Sequence, residues 1–477
     1  MNTATSPGSP TPLSRKGRKA VAGAWAGLWV DMFDVYLPVI ALAPAAAYFQ
    51  PAHLSDTTSL IITGLIFAAT LLGRPLGAVI FGHFSDRTGR RRTSMIALVG
   101  FGVVTLLIAS LPGYQEIGLA STFALIGLRF ADGIFLGGQY TSAIPLALEQ
   151  APRGKRGLVG AVIMTAFPLA YCAIALITTG LLQVMPADGL GSAYVEWGWR
   201  IPFVIGGVLA LALVPWISRN FEESDAWKQA PKAPSIPLVA LFRGVNLRNF
   251  LQVFILMTGL WLAFNVIGAV LPGALKRDAG LTDLRVTLLL VLAYALLAVA
   301  YLGAGIASQR IGRRRFFLIA GPLTGTLAPV LYALLVSRTV TGATLITLVS
   351  VALVIVVVST FGVVTTYIIE RFHVGVRSSG YGLGYTAAVI VPAFYVFYQT
   401  WLAEIMPLKY TPVVLLVIGG ALIVIGAALG PETRDADLSA AIDDSSDADL
   451  LTGSIPGVPA HRQPALTAQH SPIRSEP

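Results

Sequence analysis

Apolar runs of about 20 residues recur along almost the whole chain, separated by short breaks that are charged or rich in proline and glycine. As a helix, a run of this length spans the roughly 30 Å hydrocarbon core of a membrane. The pattern predicts an all-α membrane protein. Twelve spans are predicted, near residues 22–49, 57–82, 93–111, 117–149, 157–183, 199–217, 248–273, 284–306, 315–336, 341–369, 378–402 and 411–430.

Polar stretches divide the predicted spans into two sets of six. Residues 218–247 contain acidic residues and several prolines, so they are predicted to link an N-terminal bundle (22–217) to a C-terminal bundle (248–430). Residues 1–21 form an N-terminal tail. Residues 431–477 are rich in Asp, Ser, Ala and Pro, a composition typical of a disordered tail.

The composition, 55% hydrophobic and only 12% charged, is typical of a membrane protein. The net charge of +9 alone suggests an anionic partner such as nucleic acid. However, the loops on one side of the predicted spans hold 22 Lys and Arg residues, and those on the other side hold five. Because cytoplasmic loops are enriched in these residues, we expect a multi-pass inner-membrane protein with both termini in the cytoplasm. The charge therefore reflects topology, and we expect no nucleic-acid partner.

The first span has one alternative interpretation. Basic residues at 15–19 precede an apolar run that ends in Ala-Pro-Ala-Ala-Ala, as in a cleaved secretory signal. The run is much longer than a signal core, and it contains Asp31 and Asp34. We therefore assign it to the first transmembrane helix.

The two sets of six spans are repeats. The segment Gly82–Thr93 matches Gly305–Phe316 at seven of twelve positions, with an offset of 223 residues. Glu149 and Arg156 recur as Glu370 and Arg377 with nearly the same offset. Parallel six-helix repeats place a substrate site between the halves near the membrane midplane, opened alternately to each side.

Charged residues inside the apolar spans are the first candidates for function, because each costs at least about 2.5–3.5 kcal/mol near the centre of a helix. Asp31 and Asp34 lie three residues apart in the first span, and Arg129 and Asp132 lie three apart in the fourth. Arg74 lies at a similar depth in the second span. Either these charges pair to hold helices together, or Asp31, Asp34 and Asp132 carry protons, because a desolvated carboxyl can be neutral and ionise when wetted or paired.

Substrate contacts are predicted from both halves. The apolar spans of the C-terminal half carry no acid, so its candidates are polar and aromatic. This asymmetry suggests proton handling in the N-terminal half and selection by shape in both halves. The substrate-binding candidates are Arg129, Arg74, Gln139, Trp261, Asn265 and Tyr385.

A second group of charges lies where the predicted spans meet the cytoplasm, and we expect it to form a gate that governs conformational change. Such pairs are individually weak in a wet rim, so they can favour one state without locking it. The predicted gate consists of Asp86, Arg87, Arg90, Glu149, Arg156, Arg310, Arg313, Glu370 and Arg377. For the arginines of the 82–93 loop, topology alone is the alternative explanation.

The motif at 82–93 resembles the loop signature of the major facilitator superfamily, and the finer pattern resembles its metabolite:proton symporter branch. The resemblance covers nearly the whole chain outside both tails. It implies uptake, coupled to proton entry, of small polar metabolites such as carboxylates, cyclic acids or zwitterions. The segments that carry it are Asp31–Asp34, Gly73–Gly77, Arg129–Gly133, Gly137–Gln139, Trp197–Phe203, Glu222–Ser224, Arg377–Gly380 and Pro431–Thr433.

Three positions depart from that family pattern. The family usually has Glu where Asp31 stands, Gln where Asp132 stands, and Glu where Gln139 stands. Asp132 and Gln139 lie two turns apart on one face of a helix. Either the proton site has shifted to Asp132, or proton coupling is altered or absent.

The sequence therefore predicts a secondary transporter that imports a small organic carboxylate or zwitterion by proton symport. A proton-driven exporter on the same fold is the alternative, and a non-transporting membrane sensor is a weaker one. We expect no enzymatic activity, metal or cofactor, because no catalytic or metal-binding constellation is present. The expected partners are the substrate, protons and the lipid bilayer, and no oligomer is required.

Overall fold

The computed structural model describes residues 12–51, 56–220, 222–223 and 237–438. The described residues form helices and loops, with no strand among them. The long helices are α1 (Arg15–Ala41), α2 (Asp56–Thr88), α3 (Arg90–Ala109), α4 (Leu119–Glu149), α5 (Arg153–Val184), α6 (Tyr194–Asn220), α7 (Gly244–Arg277), α8 (Asp283–Ile311), α9 (Arg313–Val336), α10 (Ala343–Glu370), α11 (Arg377–Ala403) and α12 (Leu408–Leu429).

Eleven of these helices, all except α2, are long and apolar enough to cross a membrane. The second predicted span coincides with α2, several of whose side chains lie outside the described set. The count of twelve membrane spans stays a prediction. The first predicted span, 22–49, begins inside α1 and runs past its end at Ala41. Beyond α1 the chain continues from Ala43 to Phe49 as a separate 3-10 helix, with Pro44, which cannot donate a backbone hydrogen bond, near its start.

The helices pack as two sets, α1–α6 and α7–α12, joined along a few contacts. Across the two sets, α2 packs on α11 and α5 packs on α8, while α4 touches α11 and α5 touches α10. The 223-residue offset makes α2 equivalent to α8 and α5 to α11, so these contacts come in equivalent pairs. We call the end of the helices that carries the 82–93 and 305–316 motifs the basic-loop end.

Glycines set the distance between α2 and α4. A Cβ atom built on Gly133 would overlap the carbonyl oxygen of Thr70, and one on Gly137 would overlap that of Arg74. On the facing helix, Gly73 and Gly77 approach the α4 backbone just as closely. Small residues allow this approach in membrane helices. The contact fixes the backbone of Arg74 against the helix that carries Arg129 and Asp132.

At the end opposite to the basic loops, Arg200 joins α6 to α3. Its guanidinium donates hydrogen bonds to the carbonyl oxygens of Ala109, at 2.5 Å, and Leu111, at 3.0 Å, where α3 has ended. The guanidinium carbon also lies 4.6 Å from the ring centroid of Trp199, a cation–π contact. The Trp-Gly-Trp-Arg segment thus satisfies carbonyl groups that α3 leaves free at its end.

We expect Gly137→Ala to lower the unfolding temperature of the purified protein in detergent. The added methyl group must push apart two backbones, and overpacking of this kind costs about 1–3 kcal/mol. Gly127→Ala, on the same helix, is the matched control, since a Cβ there meets nothing within 4 Å. Alanine favours a helix over glycine, so the control should be neutral or stabilising. Equal behaviour of the two variants would contradict the close α2–α4 contact.

Candidate functional site

Five buried charges lie together where α1, α2 and α4 meet. Arg74 forms an ion pair with Asp31. One guanidinium nitrogen of Arg129 lies 3.0 Å from a carboxylate oxygen of Asp34 and 3.0 Å from one of Asp132. Arg74 is 4% exposed and the other four residues are fully buried. The structure therefore brings together all five charges that the sequence places inside the apolar spans.

Arg129 contacts both the side chain and the backbone of Asp34. Pro38 has no N–H group, so the carbonyl oxygen of Asp34 accepts instead from the backbone N–H of Leu37, and it also receives a hydrogen bond from Arg129 at 3.4 Å. The Thr105 hydroxyl on α3 donates to the Asp34 carboxylate at 3.0 Å. Sequence reasoning missed Thr105, because neither charge nor spacing distinguishes it from other threonines.

The charges of this cluster do not balance. Three carboxyl groups face two guanidinium groups, so the fully ionised cluster has one negative charge in excess. A buried charge without a partner is strongly unfavourable. Binding one proton would neutralise the cluster, and Asp34 and Asp132, which share Arg129, are the pair where the excess lies.

An aromatic group connects this cluster to the C-terminal helices. The guanidinium carbon of Arg74 lies 5.6 Å from the ring centroid of Tyr140. Tyr140 in turn lies 5.6 Å from Tyr385 of α11, and Trp261 of α7 lies 5.3 Å from the same ring. Arg74, Trp261 and Tyr385 are thus connected across the two halves through Tyr140, and their role in substrate binding stays a prediction. Tyr140, which completes the group, was not predicted, since aromatic residues are common in buried helices.

The amides of two other predicted substrate contacts face helix neighbours. The Asn265 amide donates to the carbonyl oxygen of Pro392 at 2.8 Å. Gln139 is fully buried against α1, where a Cβ on Gly27 would overlap its amide group. Their role in binding stays a prediction.

At the basic-loop end, Asp86 of α2 holds the first turn of α11. Its carboxylate accepts hydrogen bonds from the backbone N–H groups of Ser378, at 3.1 Å, and Ser379, at 3.0 Å, and from the Ser379 hydroxyl at 2.8 Å. A carboxylate at the start of a helix satisfies free N–H groups and is favoured by the helix dipole. Asp86 therefore joins the two halves through backbone groups, which charge patterns do not reveal.

Gln309 occupies the equivalent position in the other half. Its amide oxygen accepts from the backbone N–H of Gly157 at 3.0 Å, and its amide nitrogen donates to the carbonyl oxygen of Arg153 at 3.3 Å. Gly157 and Ser378 are separated by 221 residues, close to the repeat offset. One side of the gate is thus held by a carboxylate and the equivalent side by a neutral amide.

Glu149 and Glu370 bind arginines at this end. Glu149 forms ion pairs with Arg90 of its own half and with Arg377 of the other. Glu370 pairs with Arg313 of its own half at 3.2 Å. The Arg156 guanidinium donates to the carbonyl oxygen of Ala436 at 2.6 Å.

The remaining gate candidates, Arg87 and Arg310, lie on the surface. Arg87 is exposed, and its guanidinium lies 3.5 Å from the imidazole of His83 on the same helix. Arg310 is exposed, and its carbonyl oxygen accepts from Arg434 at 3.2 Å. Neither arginine makes a contact between the halves among the described hydrogen bonds and ion pairs.

The segment from Pro431 to Leu438, which follows α12, also reaches across the halves. Its Glu432 carboxylate accepts from the backbone N–H of Arg313, at the start of α9, at 2.7 Å. Asp437 pairs with Arg153 of α5, and the carbonyl oxygen of Leu438 accepts from Arg377 at 2.8 Å. The sequence predicted a disordered tail from residue 431. The structure instead describes its first eight residues, 431–438, in contact with the helices. The remainder, from residue 439, lies outside the described residues.

Two family models match the chain. The model described as Major Facilitator Superfamily matches residues 24–266, and the model described as Sugar (and other) transporter matches residues 217–441.

Curated relatives are bacterial transport proteins. The chain is 30% identical to the shikimate transporter of Escherichia coli (strain K12), over 68% of this chain and 74% of the relative. It is 29% identical to the alpha-ketoglutarate permease of the same organism, over 77% and 83%. It is 33% identical to the citrate-proton symporter of Salmonella typhi, over 45% and 48%.

Solved structures share the fold. A structure of the proton:xylose symporter XylE bound to 6-bromo-6-deoxy-D-glucose superposes with a TM-score of 0.68 at 17% identity, covering 90% of this chain and 98% of the other. A partially occluded inward open conformation of the xylose transporter XylE from E. coli superposes with a TM-score of 0.63 at 16% identity, covering 88% and 99%. At this identity the likeness concerns the fold.

The unequal gate predicts opposite effects of two single changes. Asp86→Asn replaces a charged acceptor by a neutral one and should favour an open basic-loop end, whereas Gln309→Glu adds a charged acceptor at the start of α5 and should favour closure. Hydrogen bonds to charged groups contribute about 1.5–3 kcal/mol, against about 0.5–1.5 for neutral ones.

The measurement is a distance distribution between spin labels at Arg87→Cys and Arg310→Cys in a Cys172→Ser background, since both labelled positions are exposed. Asp86→Asn should add population at longer distance and Gln309→Glu should remove it. An unchanged distribution in Asp86→Asn would show that this carboxylate does not hold the gate.

Proposed function

Since the chain belongs to the major facilitator superfamily, we propose that it imports a small organic carboxylate or zwitterion together with protons, by alternating access. The substrate site in this proposal lies between the halves, at Arg74, Tyr140, Trp261 and Tyr385. Asp34, Asp132 and Arg129 form the proton site.

The proposed orientation places the basic-loop end and both termini in the cytoplasm, with twelve membrane spans. The excess of Lys and Arg in the loops at this end supports it. In this orientation the contacts of Asp86, Glu149 and Gln309 close the cytoplasmic side. The structure then corresponds to a state that is shut toward the cytoplasm, and inward release requires these contacts to break.

The observation that carries proton coupling is the excess carboxyl group beside Arg129. With one proton bound, Asp34, Asp132 and Arg129 sum to zero charge, which a dehydrated, closed site tolerates. When water reaches the cluster, the proton can leave, because hydration stabilises the extra carboxylate. A proton is thus carried in the closed state and exchanged in the open ones. Asp132, which stands where the family usually has glutamine, supplies the excess.

The proposed substrate class combines at least one carboxylate with a compact body. Arg74 provides a guanidinium beside Tyr140, whose ring packs against Tyr385 of the other half, and a guanidinium is a suitable partner for a carboxylate. The names of three relatives, a shikimate transporter, an alpha-ketoglutarate permease and a citrate-proton symporter, support this class. The aromatic rings would contact the apolar part of the substrate.

The proposal predicts uptake that depends on the proton gradient. Expressing cells should accumulate at least one labelled compound from a panel of oxoglutarate, citrate, shikimate, benzoates, proline and betaine. A protonophore should abolish the accumulation. Lower accumulation than in control cells, restored by the protonophore, would instead establish an exporter.

Asp132→Asn should separate transport from proton coupling. The substitution keeps the cluster neutral at every stage, so accumulation should fall to the level reached with the protonophore, while exchange of internal for external substrate persists. Asp283→Asn is the control, because Asp283 is a largely exposed acid whose carboxylate pairs with Lys276 at 2.6 Å. If Asp132→Asn retained accumulation driven by the proton gradient, Asp132 would not be the proton site.

A further inference from the structure

Two helices that join the halves, α5 and α11, are each interrupted at an equivalent threonine. In α5 an α-helical piece, Arg156–Met164, ends before Thr165, and a second piece begins at Ala166. In α11 the piece Arg377–Thr386 is followed by a 3-10 turn. Thr165 and Thr386 are 221 residues apart, the same offset that relates Arg156 to Arg377.

Local sequence explains both interruptions. Pro168 and Pro392 lack the N–H group that would bond to the carbonyl oxygen four residues earlier. The helical hydrogen bond is therefore missing at Met164, just before Thr165, and at Ala388, just after Thr386. Both threonine hydroxyls bond back to their own helix, Thr165 to the carbonyl oxygen of Val162 and Thr386 to that of Gly382, each at 2.7 Å. Such bonds are associated with bent helices.

In each half, a tryptophan of the first helix donates a hydrogen bond at the interruption. The Trp25 Nε1–H of α1 donates to the Thr165 hydroxyl at 3.0 Å. The Trp261 Nε1–H of α7 donates to the carbonyl oxygen of Tyr385, next to Thr386, at 2.8 Å. In both halves, therefore, one neutral hydrogen bond from an indole reaches the interrupted helix at the interruption.

The interruptions separate two kinds of contact between the halves. The short pieces toward the basic-loop end carry Gly157 and Ser378, whose N–H groups bond to Gln309 and Asp86. Beyond the interruption in α5, Phe167 packs on aromatic rings of the C-terminal half. In α5 the interruption thus lies between the gate contact of Gly157 and these rings, and in α11 Tyr385 of the aromatic group lies in the short piece, directly before the interruption.

We propose that Thr165 and Thr386 are hinges about which the basic-loop pieces of α5 and α11 swing, and that Trp25 and Trp261 are positioning residues that hold these pieces in the closed orientation. When the basic-loop end opens, the two indole hydrogen bonds break and the short pieces move away from Gln309 and Asp86. The inference rests on the proposed transport cycle, but its test needs no substrate.

The test measures how fast a buried cysteine at the gate reacts with a maleimide. Ser308 of α8 and Ser85 of α2 are repeat equivalents, and both are fully buried. Ser308→Cys in a Cys172→Ser background reports on the gate beside α5. Thr165→Val removes the acceptor of the Trp25 bond and should raise the labelling rate about fivefold, the factor that one neutral hydrogen bond provides. Thr165→Ser keeps the hydroxyl and should restore the parent rate.

Two further variants separate a hinge from general destabilisation. Trp25→Phe should match Thr165→Val, and the double variant should label no faster than either single one, because both remove the same bond. Trp29→Phe, one turn further along α1, is the matched control and should leave the rate unchanged. Additive effects of Trp25→Phe and Thr165→Val would contradict the proposal that Trp25 holds α5 through its hydrogen bond to Thr165.

The hinge in α11 is tested in the same way. Trp261→Phe should raise the labelling rate of Ser85→Cys about fivefold. An unchanged rate in either Thr165→Val or Trp261→Phe would overturn the hinge in that helix. Because labelling is read without substrate, failure of the uptake experiments would reject the proposed function and leave these results standing. Conversely, intact uptake with unchanged labelling would reject the hinges alone.

Discussion

One guanidinium that serves two carboxylates in a buried helix interface constrains how α1 and α4 pack in the N-terminal half. Arg129 lies 3.0 Å from both Asp34 and Asp132, and all three are fully buried. Removing either acid would leave a simple ion pair, and removing the arginine would leave two unpaired acids. With two acids and one arginine, the cluster carries one negative charge when both acids are ionised and becomes neutral when it binds one proton, whereas a simple ion pair is already neutral without that proton. The cluster therefore links the hydration of this interface to its charge.

The surrounding structure maintains this arrangement through backbone features. The glycines of α2 and α4 hold Arg74 beside the α4 backbone, and the Asp34 carbonyl oxygen accepts from Arg129. Thr105 supplies a donor from α3. Because three helices contribute to one cluster, a change in its charge alters the contacts among α1, α3 and α4 together. In the proposed cycle, a change in the protonation of this cluster moves these helices, since packed interiors are not continuously deformable.

Sequence patterns predicted the positions of the long helices, the repeat and the buried charges. The length of an apolar segment and a charged residue inside such a segment are both strong signals in a membrane protein. The same patterns predicted the partners poorly. Asp86 bonds to backbone N–H groups of Ser378 and Ser379, and backbone groups leave no trace in a charge pattern. Arg87 and Arg90 are both arginines of the 82–93 motif, yet Arg90 pairs with Glu149 whereas Arg87 lies beside His83. Which side of a helix faces the other half depends on tertiary packing, which a single sequence does not specify.

In the proposed cycle, the proton and the gate contacts act at different places in the molecule. In the proposed cycle the proton changes the charge of α1 and α4, whereas the contacts that must open lie at Asp86 and Gln309, at the ends of α2 and α8. Arg74 connects these regions, because it pairs with Asp31 of α1, belongs to the same helix as Asp86, and lies against Tyr140. A substrate carboxylate at Arg74 would compete with Asp31 for the same guanidinium. Substrate and proton then act on one electrostatic balance, since each changes the charge that the other meets, and this is the reciprocal coupling that symport requires.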